Sequence, residues 1–427
     1  MMPFDETNAL PDLWNAPYLC GIGGIGVSGV ALLLLDLGIT FSGSDLRRSE
    51  ITDMLEIRGV TIAYEPNPDR VSKASVLITP TSFPQKHPEI IEAQKHNIPI
   101  LTRTQALARL CSALNIRVTL CFGTTARAKL SRFAKFLPNT GWCSGAACTD
   151  GSPHARIGRS MFLDLDEREF FDHPELWTSF PNADVIISDW QENALNYYPP
   201  QCTLNSFLKQ AKQRPTPGST LFPILENPDE IQFRYISHDT ERDYIYKFRN
   251  GMLFLSSQSL LDPILPKGIR YSGTYIDASA LAAAVVWFYE HEITPPNKDI
   301  KCIGWFNRLH NGQYHDIRMH PVNIQIALES LLMKAGNAPI YAAIKPFAST
   351  LFAYSAEIWA NIFKPVEKLY IITPPYEGCS NEDCDIFCRH LCDSDIDAQC
   401  ITLEHAKEIA MNERNWIWIG APDIIHE

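Results

Sequence analysis

The feature that most constrains this chain is a strand that runs directly into a glycine turn and then a helix. "YLCGIGGIGVSGVALLLLDLG" opens with a short apolar run at Tyr18, turns between Gly21 and Gly29, and continues as an apolar helical stretch that Gly38 stops. Glycines in that position permit a tight turn and let the first N–H groups of the helix face a phosphate. "GSD" (Gly43, Ser44, Asp45) ends the next apolar run, about 20 residues on, where an acid can meet a ribose hydroxyl. Read alone, the loop suits a nicotinamide dinucleotide as well as a UDP-sugar. A tight turn with no ligand is the bland alternative.

The rhythm continues. "ITFSGSD", "SVLITP" and "IPILT" read as strands, and "EITDMLEIRG" and "PEIIEAQKHN" read as helices between them. Alternation of this kind predicts an α/β fold with parallel sheets covered on both faces. The rhythm restarts at "IRVTLCFG" and again after the linker "ITPPNKD", so the expected segments are 1–111, 112–297 and 298–427. The middle segment carries "MFLDLDE", "ADVIISDW", a β-rich run "IQFRYISH" through "GMLFLS", and a helix "DASALAAAVVWFYEHE" read as amphipathic. The last carries "IKCIGWF", "VNIQIALESLLMKAG", "PIYAAIKP", "EIWANIF", "KLYIITPP" and "WIWIGAPDI".

Charge and composition narrow the function. The 427 residues are 45% hydrophobic and 20% charged, which suits three ordinary globular domains. A net charge of −12 leaves no basic stripe for nucleic acid. The acidic start "MMPFDETNALPDLW" does not read as a signal peptide, and "VALLLLDLG" is too short to span a membrane, so a cytoplasmic setting is expected. The 12 cysteines are irregularly spaced and read as free thiols. Those of the Cys379–Cys400 tail are too widely spaced for a compact CxxC metal site and read as buried thiols on a helix. No HExxH, GxSxG or triad signature is present.

A second strand–turn–helix follows in "LCFGTTARAKLSRF", but here the glycines are missing. Arg127, Lys129 and Arg132 would draw an anion to the helix N-terminus; the bland reading is a solvated basic face.

The first 110 residues closely resemble the Mur ligases, through "YLCGIGGIGVSG" and "TPTSFPQKHPEIIEAQKHNIPILTRTQALARL". The likeness runs most strongly to the branch that joins L-alanine to UDP-N-acetylmuramate, and continues more weakly to "GAPDI". It implies a Rossmann-like domain for the UDP-sugar, a central P-loop-type domain for ATP and magnesium, and a Rossmann-like C-terminal domain for the amino acid. By resemblance the UDP-sugar site comprises Gly21, Gly23, Gly24, Gly26, Ser28, Gly29, Ser44, Asp45, Thr81, Ser82 and Arg103.

The rest of the pattern is eroded. The family's phosphate loop, Gly-Thr-His-Gly-Lys-Thr, is matched by Gly123, Thr124, Thr125, Ala126, Arg127 and Ala128, so the second glycine, the lysine and the magnesium hydroxyl are replaced. A second register would place Lys129 at the lysine position. Asp164, Asp166 and Glu167 partly match the central acids, while Ala194 stands in for a magnesium-associated histidine. "GTYIDASALAAA" keeps Gly273 but has Tyr275, Ile276 and Ser279 at the polar positions. "GWFNR" keeps Gly304 and Arg308 with Asn307 for an arginine, and "HPVNI" keeps His320 with Met319 for a histidine. Phe347 and Leu351 replace another histidine and arginine.

Since phosphoryl transfer rests on such groups, the expectation is a catalytically degenerate homologue that keeps a UDP-N-acetylmuramic-acid-type site. Its catalytic residues stay unassigned, with Asp164, Asp166, Glu167, His320 and Arg308 as remnants; no metal or cofactor is assigned either, although the resemblance brings ATP and magnesium. The alternative is an active ligase in which Arg127 or Lys129 serves the phosphates. An oxidoreductase using NAD rests on the first loop alone. The expected partners are the UDP-linked precursor and another Mur ligase or cell-wall protein.

Overall fold

The computed structural model describes residues 10–420 apart from 82, 148–149, 192–197, 215, 227–229, 239, 250–251, 258–267, 271–273, 295–305, 310–311, 317–319, 347–353 and 376–378. Ser82, Ala194, Gly273, Gly304, Met319, Phe347 and Leu351 therefore lie outside the described residues, as does most of "IKCIGWF" and of the linker.

Short apolar runs between turns become three sheets. The first is wholly parallel, with strands β1 (Pro17–Cys20), β2 (Ser42–Ser44), β3 (Thr61–Ala63), β4 (Val76–Thr79) and β5 (Ile100–Thr102) in the order β3-β2-β1-β4-β5. Chain order reverses between β1 and β4, so the glycine turn after β1 lies at the switch point where open α/β sheets bind ligands. Helix α1 (Ile25–Asp36) is buried without interruption from Val27 to Leu34, because it is wedged between this sheet and the central one. Capping boxes at Ser49–Thr52 and Thr102–Gln105 start two of the helices.

The central sheet has ten described strands: β6 (Arg117–Phe122), β7 (Thr140–Cys143), β8 (Ala155–Arg156), β9 (Ser160–Asp164), β10 (Asp184–Ile187), β11 (Thr220–Glu226), β12 (Glu230–Ser237), β13 (Thr240–Arg249), β14 (Met252–Ser257) and β15 (Ile269–Arg270). Their order is β15-β14-β13-β12-β11-β10-β6-β9-β7-β8. The half from β11 to β7 is parallel and buried; the half from β11 to β15 is an antiparallel meander with alternating burial.

Helix α9 (Tyr275–Glu290) corrects the expectation of an amphipathic helix. From Ile276 through Phe288 every residue is buried, polar Asp277 and Ser279 included. Its alanines let it lie close against α6 (Arg127–Arg132), and Trp287 meets Phe162 edge-on at 5.1 Å.

The third sheet has β16 (Asn307–Arg308), β17 (Tyr314–Asp316), β18 (Tyr341–Ile344), β19 (Lys368–Thr373), β20 (Ala398–Thr402) and β21 (Trp416–Ile419) in the order β16-β17-β21-β18-β19-β20, parallel except for the β16–β17 pair. Among the described residues no helix is long and apolar enough to cross a membrane.

Candidate functional site

The first loop divides into a turn and an interdomain contact. Gly21 adopts φ +64°, which only glycine tolerates well, and Gly24 N–H closes the turn onto Gly21 O at 3.0 Å. Asp45, at the tip of β2, braces it by accepting Gly23 N–H at 2.8 Å. A side chain at Gly23 would put its Cβ 2.9 Å from Thr52 Cγ2. Gly24 caps α1 without a side chain, and among the described residues the N–H groups of Ile25, Gly26 and Val27 have no protein partner. They form an anion seat at a helix N-terminus.

Ser28 and Gly29 face the other way. Ser28 Oγ lies 2.9 Å from His154 Nε2, and a Cβ on Gly29 would sit 2.8 Å from Cys143 Sγ. These two positions fit α1 to the central domain. Burial, helped by Arg103 and Arg132, lowers the His154 pKa to about 4. Arg103 is likewise a tie between domains: Nε donates to Gly26 O at 3.2 Å and Nη1 to Asp164 O at 2.6 Å.

Two cavities share Phe83 as a wall, and only the first reaches the loop. One of about 350 Å³ is lined by Gly21, Ser44, Asp45, Arg47, Phe83 and His87. The other, about 590 Å³, runs between the first and central domains past Thr81, Phe83, Gln105, Asp166 and Arg168. Thr81 is exposed at its edge. Ser44 turns inward and donates to the buried Glu89 at 2.9 Å.

The central loop is built differently. Gly123 adopts φ +150° with no space above it: a Cβ would sit 2.3 Å from Ser188 Oγ and 2.5 Å from Asp189 Oδ1. Three consecutive N–H groups are spent on one residue at the tip of β10. Thr124 N–H donates to Asp189 O at 3.3 Å, Thr125 N–H to Oδ2 at 2.8 Å and Ala126 N–H to Oδ1 at 3.0 Å. Thr125 Oγ1 and Ser188 Oγ also donate to this carboxylate, which is fully buried. Burial pushes the carboxyl pKa of Asp189 up despite these donors, and Glu226 behind it is pushed up further by burial and by Asp189.

The basic residues are not a solvated face. Lys129 is 4% and Arg132 0% exposed. Arg132 lies over Trp142 at 4.6 Å and donates to Ser152 Oγ and to Pro153 O. Arg127 turns into the acidic cluster: Nε to Asp164 Oδ1 at 3.0 Å, Nη1 to Glu167 Oε2 at 3.3 Å and to Gly123 O at 3.1 Å, with Nη2 3.7 Å from Asp166. Asp164 also accepts Gly145 N–H at 2.5 Å.

Glu167 is fully buried and accepts Tyr198 O–H at 2.6 Å; Tyr198 in turn contacts Thr124 Oγ1 at 2.9 Å and stacks on Trp190. Burial raises the Glu167 pKa to about 7 against the pull of Arg127. Burial acts on Asp166 in the same sense, but Arg127 and Arg168 outweigh it and hold that acid at about 2.

The remaining predicted residues are dispersed. His320 caps the helix Pro321–Ala335, accepting Val322 N–H at its Nδ1, with Nε2 2.8 Å from Tyr354 Oη. Burial and nearby Arg168 lower its pKa to about 4. Arg308 is exposed on β16. Tail cysteines Cys379, Cys384, Cys388, Cys392 and Cys400 carry free thiols, but the reading of buried thiols on a helix holds only for Cys384: Cys379, Cys388 and Cys400 are half-buried, Cys392 is exposed, and Cys400 lies on β20. The sequence reading missed Asp189, Tyr198 and His154. The available signal for Asp189 was an acid ending an apolar run, "ADVIISDW", in a strand that neighbours the loop strand.

The architecture is that of a three-domain Mur-ligase-type protein. The model of the Mur ligase family, catalytic domain, matches residues 18–114. Within that class the likeness is to MurC. UDP-N-acetylmuramate–L-alanine ligase of Syntrophus aciditrophicus is 31% identical over 232 residues, 53% of this chain and 47% of that protein. The enzyme of the same description from Aquifex aeolicus is 23% identical over 394 residues, covering 85% and 84% of the two chains. Over the first of these matches and a similar one from Anaeromyxobacter, the chain spans about half the length of the curated relatives it matches, 47% and 52%. Among solved structures, MurC of Thermotoga maritima superposes with a TM-score of 0.65 at 14% identity over 96% of both chains. A murein peptide ligase from Psychrobacter arcticus gives 0.55 at 15%, covering 96% of this chain and 97% of that one.

Proposed function

We propose that this chain is a MurC-like protein of peptidoglycan precursor metabolism that binds a UDP-N-acetylmuramic-acid-type nucleotide through Gly21, Gly23, Gly24 and Gly26 and does not carry out ATP-dependent ligation. One observation carries the reading. The first loop leaves the N–H groups of Ile25, Gly26 and Val27 without a protein partner and lines a cavity through Gly21, whereas the central loop has given three successive N–H groups to Asp189. A phosphate entering the second seat must displace a buried carboxylate of its own sign. Magnesium would compete with Arg127 for Asp164 and Glu167, and Ala128 offers it no hydroxyl. The residues present do not fit magnesium–ATP, so no phosphoryl-transfer step is derived. Ser28, Gly29 and Arg103 serve the reading indirectly, by docking the nucleotide loop on the central domain.

The test is a calorimetric titration of UDP-N-acetylmuramic acid into the chain, followed by magnesium–ATP. Heat from the first addition and none from the second is expected. Release of ADP and inorganic phosphate dependent on the UDP-sugar would overturn the reading in favour of an active ligase with a rearranged site.

A further inference from the structure

Beneath the 350 Å³ cavity lies a polar cluster that the nucleotide reading does not use. Glu89 is fully buried at the start of helix Pro88–Lys95. Its two oxygens have separate surroundings. Oε1 is filled by Tyr18 O–H and Asn67 N–H, both at 2.8 Å. Oε2 faces Cys20 Sγ at 2.5 Å, Ser44 Oγ at 2.9 Å and His87 Nδ1 at 3.7 Å. Among the described residues His87 is the one basic group within ion-pair reach of this buried carboxylate. Its Nδ1 is shielded from solvent and has no hydrogen-bond partner. The ligand atoms of Cys20, His87 and Glu89 all lie within 4.8 Å of one another, and no other such trio of histidine, cysteine or acid occurs among the described residues, the cysteine-rich tail included.

We propose that Cys20, His87 and Glu89 form a site for a divalent cation of the zinc class, on the floor of the cavity beside the glycine loop. The donor set is one thiolate, one imidazole and one carboxylate, which suits a borderline-soft ion. Zinc bonds of about 2.0–2.3 Å in a tetrahedron hold ligand atoms roughly 3–4 Å apart. The His87–Glu89 separation already meets that, and the thiol needs only to swing away from Oε2. Tyr18 and Asn67 fix the non-ligating oxygen, as outer partners of metal carboxylates do. Binding releases to solvent the Cys20 thiol proton and any proton on the ligating nitrogen of His87, and sets the charge of the cation against the buried Glu89 carboxylate. His87 and Ser44 line the cavity, so the fourth position opens towards it and takes water or an oxygen of a bound ligand.

The experiment adds cobalt(II) alone to the chelator-treated full-length chain and reads absorbance. The expected result is saturation at one equivalent, with a thiolate-to-cobalt charge-transfer band and tetrahedral d–d bands that zinc abolishes. Cys20→Ser and His87→Ala should each remove the charge-transfer band or weaken cobalt binding at least tenfold. Cys388→Ser and Cys400→Ser should leave it intact. Absence of the band at stoichiometric cobalt, or its survival in both Cys20→Ser and His87→Ala, would overturn the site. Circular dichroism of His87→Ala separates loss of metal from loss of fold.

Discussion

The two strand–turn–helix loops share one design and come to opposite ends. In each, a glycine with positive φ ends a buried parallel strand, and an acid at the tip of a neighbouring strand hydrogen-bonds the turn. Asp45 takes a single loop N–H, from Gly23, and sits at the rim of a cavity, half-buried. Asp189 takes the side-chain share of the loop from Thr125 and Ala126, lies fully buried, and leaves no space above Gly123. The difference is in how much of the loop the acid takes: Asp45 accepts one loop N–H and leaves those of Ile25, Gly26 and Val27 without a protein partner, whereas Asp189 accepts three in succession.

The largest expected effect tests the filled loop. Arg127→Ala leaves Asp164 and the buried Glu167 without their cation, and should cost about 3–5 kcal/mol in urea denaturation. A loss below about 1 kcal/mol would mean the pairs behave as exposed ones and the contrast fails.

The next effect is in pH. Glu167 has a folded pKa near 7, above its ordinary 4.5, so the folded state binds the extra proton. Its stabilising contribution is complete below about pH 4.5 and is lost as pH rises through 7. Glu167→Gln should remove about 1–3 kcal/mol of that slope. His154 and His320, each depressed from 6.5 to about 4, act in the opposite sense: they favour the folded state above pH 6.5 and withdraw that support as pH falls towards 4. A Glu167→Gln profile that overlays the parent profile would show that the acid titrates normally.

A third experiment empties the seat. Ala126→Gly, Arg127→Lys, Ala128→Thr and Asp189→Asn, combined, should raise magnesium–ATP affinity at least tenfold, about 1.4 kcal/mol, by calorimetry. A folded quadruple variant that still ignores ATP would show that the carboxylate is not what closes the loop. Smallest is the brace of the first loop. Asp45→Ala removes the acceptor for Gly23 and Arg47 N–H and should cost about 0.5–1.5 kcal/mol, because both groups can turn to water.

The first domain was legible because its signals are local. β1 and α1 are written in contiguous apolar runs and a glycine stop, α4 (Pro88–Lys95) opens on a proline and ends before Asn97 at φ +55°, and "YLCGIGGIG" carries its own turn. The central site was not, because it is made by distant partners. Asp189 lies 64 residues from Thr125, and Tyr198 reaches Glu167 across 31. Arg127 looked like an anion-seeking cation because its three acids lie beyond the next strands. α9 was misread as amphipathic because Asp277, Ser279 and Glu290 suggest a polar face, although the first two are fully buried. Ser28 and Gly29 looked like ligand positions because the motif is continuous in sequence, while the helix rotates them onto Cys143 and His154.

Arg103 gives the two loops a common linkage. One end of its guanidinium holds the Gly26 carbonyl, in the first turn of α1, and the other holds the Asp164 carbonyl, on the strand that presents the acidic cluster. The group is planar and rigid, so it acts as a connecting rod rather than a hinge. A ligand that draws Gly26 by a fraction of an ångström must either stretch a 2.6 Å bond or carry the end of β9 with it. Under the proposed function, in which the central domain carries out no ligation, that rod still conveys to the central domain whether the first loop is filled.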